Sequence, residues 1–286
     1  MNLFPKRLGL AVLAVTMASA VGPAAAAPGP SNITLAPHRA IYDLKLLRSS
    51  GTRGLDSVRG RIVYDFSGSA CEGYTLRFRQ VSQLASGEGG VLSDLRSTTW
   101  EDNAAKKFRF NSENLLNDKH TDSAEGHAER TAKAVRVTLS KPGPKRFTVA
   151  VGAVFPTEHM RRIIAAARAG KTILTFPVYD GSDDGHKLYN TLTVIGKPIP
   201  PGAKPPADAG ANVPALAGLT RWPVTISYFD TQSEAKQHSG EQTPVYAITF
   251  EIYENGISRA LILDYSDFTL EGDMTALEMK NVKACK

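Results

Sequence analysis

The sequence lacks the short motifs on which many catalytic sites depend. It contains no Gly-x-Ser-x-Gly turn, which would expose a hydrolase nucleophile. No glycine-rich phosphate loop follows a strand-like run. Aspartate and glutamate are plentiful, at 28 residues, so a pair of catalytic carboxylates stays open, but no sequence feature selects one. These absences favour a binding or structural protein over an enzyme.

An excess of one charge is also missing. Lysine and arginine total 34 against 28 acidic residues, a formal charge of +6, and both signs are mixed along the chain. The sequence has no dense basic stripe with interleaved aromatic residues, so nucleic acid is not expected as a partner. A weak attraction to anionic surfaces stays open, with a solvated face as the simpler interpretation.

Long hydrophobic runs are confined to the start of the chain. The uncharged run Leu8–Ala20 follows Lys6 and Arg7 and precedes the small residues Ala24–Ala26. This layout is typical of a secretory signal peptide, and the run is too short for a lasting membrane span. We therefore predict a signal peptide over residues 1–27, with a second possible cleavage site at the end of the apolar run. The remaining chain is expected outside the cytoplasm, without a stable membrane span.

Cysteine is scarce, because Cys71 and Cys285 are the only two in the chain. Both follow the predicted signal peptide, and cysteines in an oxidising compartment are expected to pair. One disulfide would join an early hairpin to the C-terminal strand. Two unrelated buried thiols are the alternative. A bridge would also remove Cys71 as a catalytic nucleophile.

Short runs that alternate between apolar and polar residues are abundant. In the run RGRIVYDFSG, Ile62 and Phe66 share one face, as in a half-buried antiparallel strand. The pair Asn255-Gly256 between two such runs is a strong hairpin signal. Many short strands and few helical patterns predict an all-β barrel or sandwich. The predicted strands cover residues 38–47, 59–68, 73–84, 97–102, 107–110, 134–139, 147–151, 172–179, 187–195, 220–229, 245–253, 258–265 and 268–279.

One segment has the period of an α-helix instead. Apolar residues within Met160–Ala167 recur at i, i+3, i+4 and i+7 and form one stripe. Thr157 is predicted as the N-cap residue and Gly170 as the C-terminal stop. A single amphipathic helix among strands is expected to cover or plug a sheet. Three residues are expected on its outer face: Arg161, Arg162 and Arg168.

The same neighbourhood carries two weak metal-site patterns. Glu158-His159 lacks the second histidine of a zinc-protease helix, and adjacent side chains on a helix point about 100° apart. The run DGSDDG at Asp180 resembles the start of a calcium loop, but its twelfth position is Thr191 rather than glutamate. We interpret His159 as a polar or packing residue of the first helical turn and the run as a hairpin turn. No metal, cofactor or catalytic residue is therefore predicted.

Residues 196–218, GKPIPPGAKPPADAGANVPALAG, differ in composition from the rest of the chain. They are rich in proline and alanine and hold few large apolar side chains. We interpret them as an exposed, semi-extended loop. Because the expected disulfide joins residues on both sides of this loop, residues 28–286 are predicted to form one domain.

Five runs occur in order over nearly the whole exported chain. They are APHRAIYDLKL from Ala36, RGRIVYDFSGSACEGY from Arg59, FPTEH from Phe155, FPVYDGSDDG from Phe176 and ENGISRALILDYSDFTLEG from Glu254. With the two widely spaced cysteines, they resemble the EipB family of periplasmic envelope-integrity proteins of alphaproteobacteria. The resemblance implies a highly curved antiparallel sheet, a β-spiral or open barrel, similar in shape to periplasmic lipoprotein carriers. It also implies one disulfide, at Cys71 and Cys285, and a periplasmic location.

The resemblance further implies a role in keeping the envelope of a Gram-negative bacterium intact under stress, without enzymatic activity. We expect a scaffold or a carrier for an envelope protein, a lipid or a lipoprotein. The competing hypothesis is a cell-wall or polysaccharide-modifying enzyme with a carboxylate pair, for which Asp180–Asp184 are candidates. Four strand residues are candidates to line a concave binding face, with ordinary core packing as the alternative: Leu76, Phe78, Ile248 and Phe250.

Overall fold

A computed structural model describes residues 33–282 of the protein, apart from residues 51–53, 88, 205 and 232–241. The predicted signal peptide, residues 1–27, and Cys285 lie outside the described residues. No helix within the described part of the chain is long and apolar enough to cross a membrane.

The described residues form fourteen strands and one main helix. The strands are β1 (His38–Ser49), β2 (Ser57–Ser69), β3 (Gly73–Ser86), β4 (Gly89–Glu101), β5 (Lys107–Leu116), β6 (Lys119–Arg130), β7 (Val135–Lys141), β8 (Lys145–Val149), β9 (Ile173–Val178), β10 (Tyr189–Ile195), β11 (Arg221–Asp230), β12 (Tyr246–Tyr253), β13 (Ser258–Asp264) and β14 (Phe268–Met279). The helices are α1 (Pro156–Arg168), a 3-10 turn (Ala209–Ala211) and α2 (Pro214–Ala217). Each predicted strand overlaps one of these, and β6 alone has no predicted counterpart.

All fourteen strands belong to one antiparallel sheet, in the order β8-β7-β6-β5-β4-β3-β2-β1-β14-β13-β12-β11-β10-β9. The chain starts in the middle at β1, runs outwards to β8, crosses through α1 to β9, and returns to β14 beside β1. Near the gap between the two ends, Val154 pairs with β9: its N–H donates to Pro177 (2.8 Å) and its carbonyl accepts from Tyr179 (3.0 Å). The sheet is curved and not closed, which confirms the expected β-spiral or open barrel.

Helix α1 packs against the inner face of this sheet. Ile163 and Ile164 are fully buried, as the apolar stripe predicts. The expected outer position of Arg161 is wrong, because this residue is 2% exposed. Its guanidinium donates to the side chain of Asn103 (2.6 Å) and lies 5.8 Å from the ring centre of Tyr74. A helix that is enclosed on several sides needs buried partners for its polar face as well.

The start of α1 is capped by a residue from the sheet. Phe155, not Thr157, is the N-cap residue, and it makes no side-chain capping bond. The carboxylate of Glu101, at the end of β4, instead accepts the backbone N–H groups of Thr157 and Glu158, each at 2.8 Å. Gly170 ends the helix with φ +70°, as predicted. The sheet therefore fixes the position of the first helical turn.

Inward-facing side chains form two apolar clusters. The larger, which we call the main core, surrounds α1 and uses residues of β1–β3 and β10–β14. The smaller, which we call the end core, joins residues of β5–β7 to the segment before α1 and to Tyr179, which follows β9. In the end core, Phe155 stacks on Phe108 (5.0 Å between ring centres) and Tyr179 meets Phe110 edge-on (5.8 Å). Loop residues therefore cover apolar side chains of the strands that the sheet alone would leave exposed.

The loop between β9 and β10, residues 179–188, covers the end core. The paired strands on either side confirm that the DGSDDG run is a hairpin turn. Gly181 has φ +69°, and a Cβ there would lie 2.4 Å from the ring of Phe110. The hydroxyl of Tyr179 donates to the carbonyl of Gly185 (2.7 Å). Both the conformation and the close approach require glycine at position 181.

The expectation of an exposed loop at residues 196–218 is wrong for part of that segment. Asp208 and Ala211 are 6% and 1% exposed. Asp208 forms an ion pair with Arg259 of β13 and accepts the backbone N–H of Met274 in β14 (3.1 Å). Composition misleads here because small residues pack close to a sheet without large apolar side chains.

Candidate functional site

The main core contains a cavity of about 210 Å³, which we call the apolar chamber. It lies between α1 and the inner faces of β1, β2, β3, β12 and β13, and Met160 forms part of its wall. Because alternate residues of a strand face the same side, each strand contributes apolar side chains to it. Six of them are Ile62, Phe78, Ile248, Phe250, Leu261 and Leu263. Such a lining suits a hydrocarbon group.

A row of aromatic rings runs along one side of the interior. Tyr228, Tyr246, Tyr265 and Phe268 follow one another, with 5.8, 5.0 and 4.9 Å between successive ring centres. Tyr228 and Tyr246 are direct partners across β11 and β12. Burial raises the pKa of both phenols, so they stay neutral at physiological pH. The row offers flat apolar surface with a few uncharged hydroxyl groups.

A second cavity of about 170 Å³, the helix chamber, lies against the first turns of α1 and shares Met160 with the apolar chamber. His159 lines it, is 4% exposed and meets the ring of Phe176 edge-on (5.9 Å). Its Nε2 is buried and has no hydrogen-bond partner among the described residues. Burial, with a smaller effect from the charge of Arg162, lowers the pKa of His159 to about 4. The imidazole is therefore neutral at physiological pH.

A third cavity of about 320 Å³, the vestibule, opens to solvent. Asp122 of β6 and Asp183 of the 179–188 loop line it and are exposed. The vestibule shares Leu76 with the helix chamber and Phe78 with the apolar chamber. Other polar residues in its lining are Ser97, Ser112, Glu113 and Asn114. We call the three adjoining spaces the interior cavity.

A charged network holds the start of α1 beside this cavity. Burial raises the pKa of Glu101 to about 8, and the nearby carboxylate of Glu158 acts in the same direction, while the helix N–H donors act against it. Glu158 forms ion pairs with Arg130 (2.7 Å) and Arg162 (2.6 Å). Since these partners come from α1 and from β6, the network links the wall of the main core to the end core.

The aspartates of the 179–188 loop stabilise the loop itself. An oxygen of Asp180 accepts the N–H of Ser182 (2.9 Å), and an oxygen of Asp184 accepts the N–H of His186 (3.0 Å). These are turn contacts, not the converging ligands of a calcium loop. Within the part of the chain that the structure describes, no group of three or more His, Cys, Asp or Glu residues is placed to hold a metal ion.

Cys71 lies in the exposed turn between β2 and β3. Met279, at the end of β14, pairs with His38, which in turn pairs with Phe66 near the end of β2. The last strand therefore ends on the same edge of the sheet as the turn that holds Cys71. Cys285 lies outside the described residues, so the disulfide stays a prediction.

The four strand residues proposed for a concave face all line the interior cavity. Leu76 and Phe78 border the vestibule, while Ile248 and Phe250 border the apolar chamber. They also pack in or against the main core, so each of them both lines the cavity and contributes to core packing. The sequence reasoning missed His38, which lines two chambers; its signal was its place in the buried alternation of β1.

A larger groove of about 600 Å³ lies over β4–β7. In it, the guanidinium carbon of Arg109 is 5.2 Å from the ring centre of Trp100, and the exposed side chains of Lys107 and Glu129 form part of the lining. Because this groove is open and its exposed side chains are polar or charged, the interior cavity is the better candidate for a ligand site.

Comparison with known proteins finds a matching family, a similar relative and a solved structure of similar fold. The family model described as EipB-like matches residues 30–281. The cell envelope integrity protein EipB of Brucella abortus (strain 2308) is 36% identical over 284 residues, which cover 98% of each chain. The crystal structure of a beta-barrel-like protein of a domain of unknown function, also from Brucella abortus, has a TM-score of 0.78 and 35% identity, and covers 87% of this chain and 100% of its own. The chain belongs to the EipB-like family.

Proposed function

We propose that this protein is a non-enzymatic carrier or scaffold of the periplasm, and that its interior cavity holds the apolar part of an envelope lipid or lipoprotein. The name of the Brucella abortus relative, cell envelope integrity protein, supports a role in keeping the envelope intact. The signal-peptide pattern of residues 1–27 supports export to the periplasm.

The observation that carries the carrier proposal is the apolar chamber beside a vestibule that opens to solvent. Protein interiors are normally close-packed, because each void removes dispersion contacts from the atoms around it. A hydrocarbon chain in the chamber would restore those contacts, and Phe78 marks the boundary that the chain would pass.

The test is lipid recovery from the purified mature protein. The protein is incubated with an envelope lipid extract, re-purified, and extracted for mass spectrometry. We expect acyl lipids to be recovered with the wild type, and much less with Ile248→Trp, whose indole would fill the apolar chamber. Val194→Trp on β10 is the matched control, because its side chain is exposed. It should recover as much lipid as the wild type.

Two results would contradict the carrier proposal. Recovery of no lipid above a no-protein control would leave scaffolding as the better explanation of the envelope role. Equal recovery by Ile248→Trp and the wild type, with both proteins folded by circular dichroism, would show that lipid binds elsewhere.

A further inference from the structure

The vestibule and the apolar chamber differ in exposure, which gives a bound amphiphile a direction. Asp122 and Asp183 of the vestibule are exposed, whereas Phe250 and Leu263 of the apolar chamber are 3% and 2% exposed. The apolar part of a ligand therefore belongs in the chamber and its polar head in the vestibule. At about 210 Å³, the chamber is smaller than the roughly 300 to 1,000 Å³ of most ligand pockets, so one chain fits it better than two.

The titratable side chains that line the vestibule are all acidic, although burial raises the pKa of Asp180 and so favours its neutral form. Four acidic residues line it, and none of its described lining residues is lysine or arginine. Asp183 is compensated by Lys187 (2.8 Å), but Asp122 forms no ion pair within the described part of the chain. A carboxylate or phosphate monoester head would lie beside uncompensated negative charge, whereas an ammonium head would be attracted.

An independent feature lies in the adjoining helix chamber. His159 lines that chamber, is 4% exposed, and has a buried Nε2 without a hydrogen-bond partner among the described residues. A buried polar atom that lacks a partner is unfavourable, so a polar ligand group that reaches Nε2 would be favourable. Asp180 lines both the helix chamber and the vestibule, so acceptor groups border both spaces.

We propose that the ligand is an amphiphile with one acyl chain and a cationic amine headgroup. The ammonium lies in the vestibule near Asp122, and the chain passes Phe78 into the apolar chamber. This inference rests on the proposed carrier function and adds the charge of the headgroup to it.

The test uses three probes that share one chain and differ in the head: hexadecylamine, hexadecanol and hexadecanoic acid. Their binding to the mature protein is measured by equilibrium dialysis of radiolabelled probe below its micellar concentration, near neutral pH. We expect the amine to bind about tenfold more tightly than the acid, equivalent to about 1.4 kcal/mol, with the alcohol between them. Added salt should reduce this difference, because the vestibule is open to solvent.

Asp122→Asn should reduce the preference for the amine, and Asp122→Lys should reverse it, while alcohol binding stays within about twofold. Glu129→Gln is the matched control, because Glu129 is also exposed on β6 but lines the groove over β4–β7 instead of the vestibule. It should leave all three affinities unchanged. Melting curves of the variants check that each is folded.

The outcomes separate this inference from the carrier proposal. If the three probes bind equally, or the acid binds best, the cationic headgroup is wrong and the carrier proposal stands. If none binds while the lipid-extract experiment succeeds, a single-chain amine is the wrong class. If both experiments fail, the carrier proposal fails as well.

Discussion

The end core and the main core enclose the inner face of one sheet in different ways. In the end core, Phe108 and Phe155 are at most 1% exposed and stack on each other, with Ala124 and Ala128 leaving room for the rings. In the main core, α1 occupies the space between strands, and cavities remain between the helix and the sheet. Aromatic rings and small side chains pack against each other in the end core, whereas cavities remain beside α1 in the main core.

This difference suggests that the two cores have different roles, one in stability and the other in ligand binding. Removing side-chain atoms from a close-packed cluster lowers the free energy of unfolding, because each atom loses its packing contacts. A side chain that borders a cavity makes fewer packing contacts, so its removal costs less. The end core should therefore stabilise the fold, and the main core should hold the ligand.

The largest expected effect concerns the predicted disulfide, which would fasten strands of the hollow main core. Cys71→Ser should lower stability by up to about 5 kcal/mol, because a long closed loop restricts the unfolded chain. The measurement is thermal unfolding of the mature protein with and without reductant. Reductant should lower the melting temperature of the wild type and leave that of the variant unchanged. Equal melting curves for both proteins without reductant would contradict the bridge.

A matched pair of ring deletions compares the two clusters directly. Phe155→Ala should cost about 3 to 5 kcal/mol, because the ring is fully buried in the end core. Phe78→Ala should cost about 1 to 2 kcal/mol, since this ring is only partly buried and borders two cavities. Urea unfolding of each variant gives the two free energies. Equal losses would mean that the main core is as tightly packed as the end core.

A third substitution tests whether the 196–218 segment is part of the main core's support. Asp208→Asn should cost about 3 kcal/mol, because it leaves the buried guanidinium of Arg259 with less compensating charge. The control is Asp273→Asn on β14, whose ion pair with Lys45 is exposed to solvent and should contribute little. The same urea experiment measures both variants. A loss at Asp208 no larger than at Asp273 would show that the segment is only loosely attached.

The sequence predicts the strands of the main core well, because large apolar residues alternate there. It misses β6, whose inward-facing positions include Ala124, Gly126 and Ala128 and therefore show no large apolar alternation. The apolar stripe predicts α1, but the depth of the helix depends on strands that are distant in sequence, as the burial of Arg161 illustrates.

The candidate site is predictable only in part for the same reason. Alternation identifies Leu76, Phe78, Ile248 and Phe250 as inward-facing residues. The vestibule, however, forms where the 179–188 loop lies against β3–β6, and no local sequence pattern predicts this contact. Contacts of this kind become visible only once the path of the chain is known.

The smallest expected effect is a pH dependence that belongs to the main core. The pKa of His159 is about 4 in the folded protein and about 6.5 when unfolded, so acid favours the unfolded chain, which binds the proton more tightly. His159 should therefore cost the fold nothing above about pH 7 and about 2 kcal/mol at about pH 5. In His159→Gln, the fall in stability between these pH values should be smaller by that amount.

His38, whose pKa burial also lowers, contributes equally to both proteins, so the difference isolates His159. His127→Gln on the exposed face of β6 is the control for the loss of a histidine side chain. An unchanged pH dependence in His159→Gln would mean that the imidazole reaches solvent in the folded state, and with it that the helix chamber is open rather than enclosed.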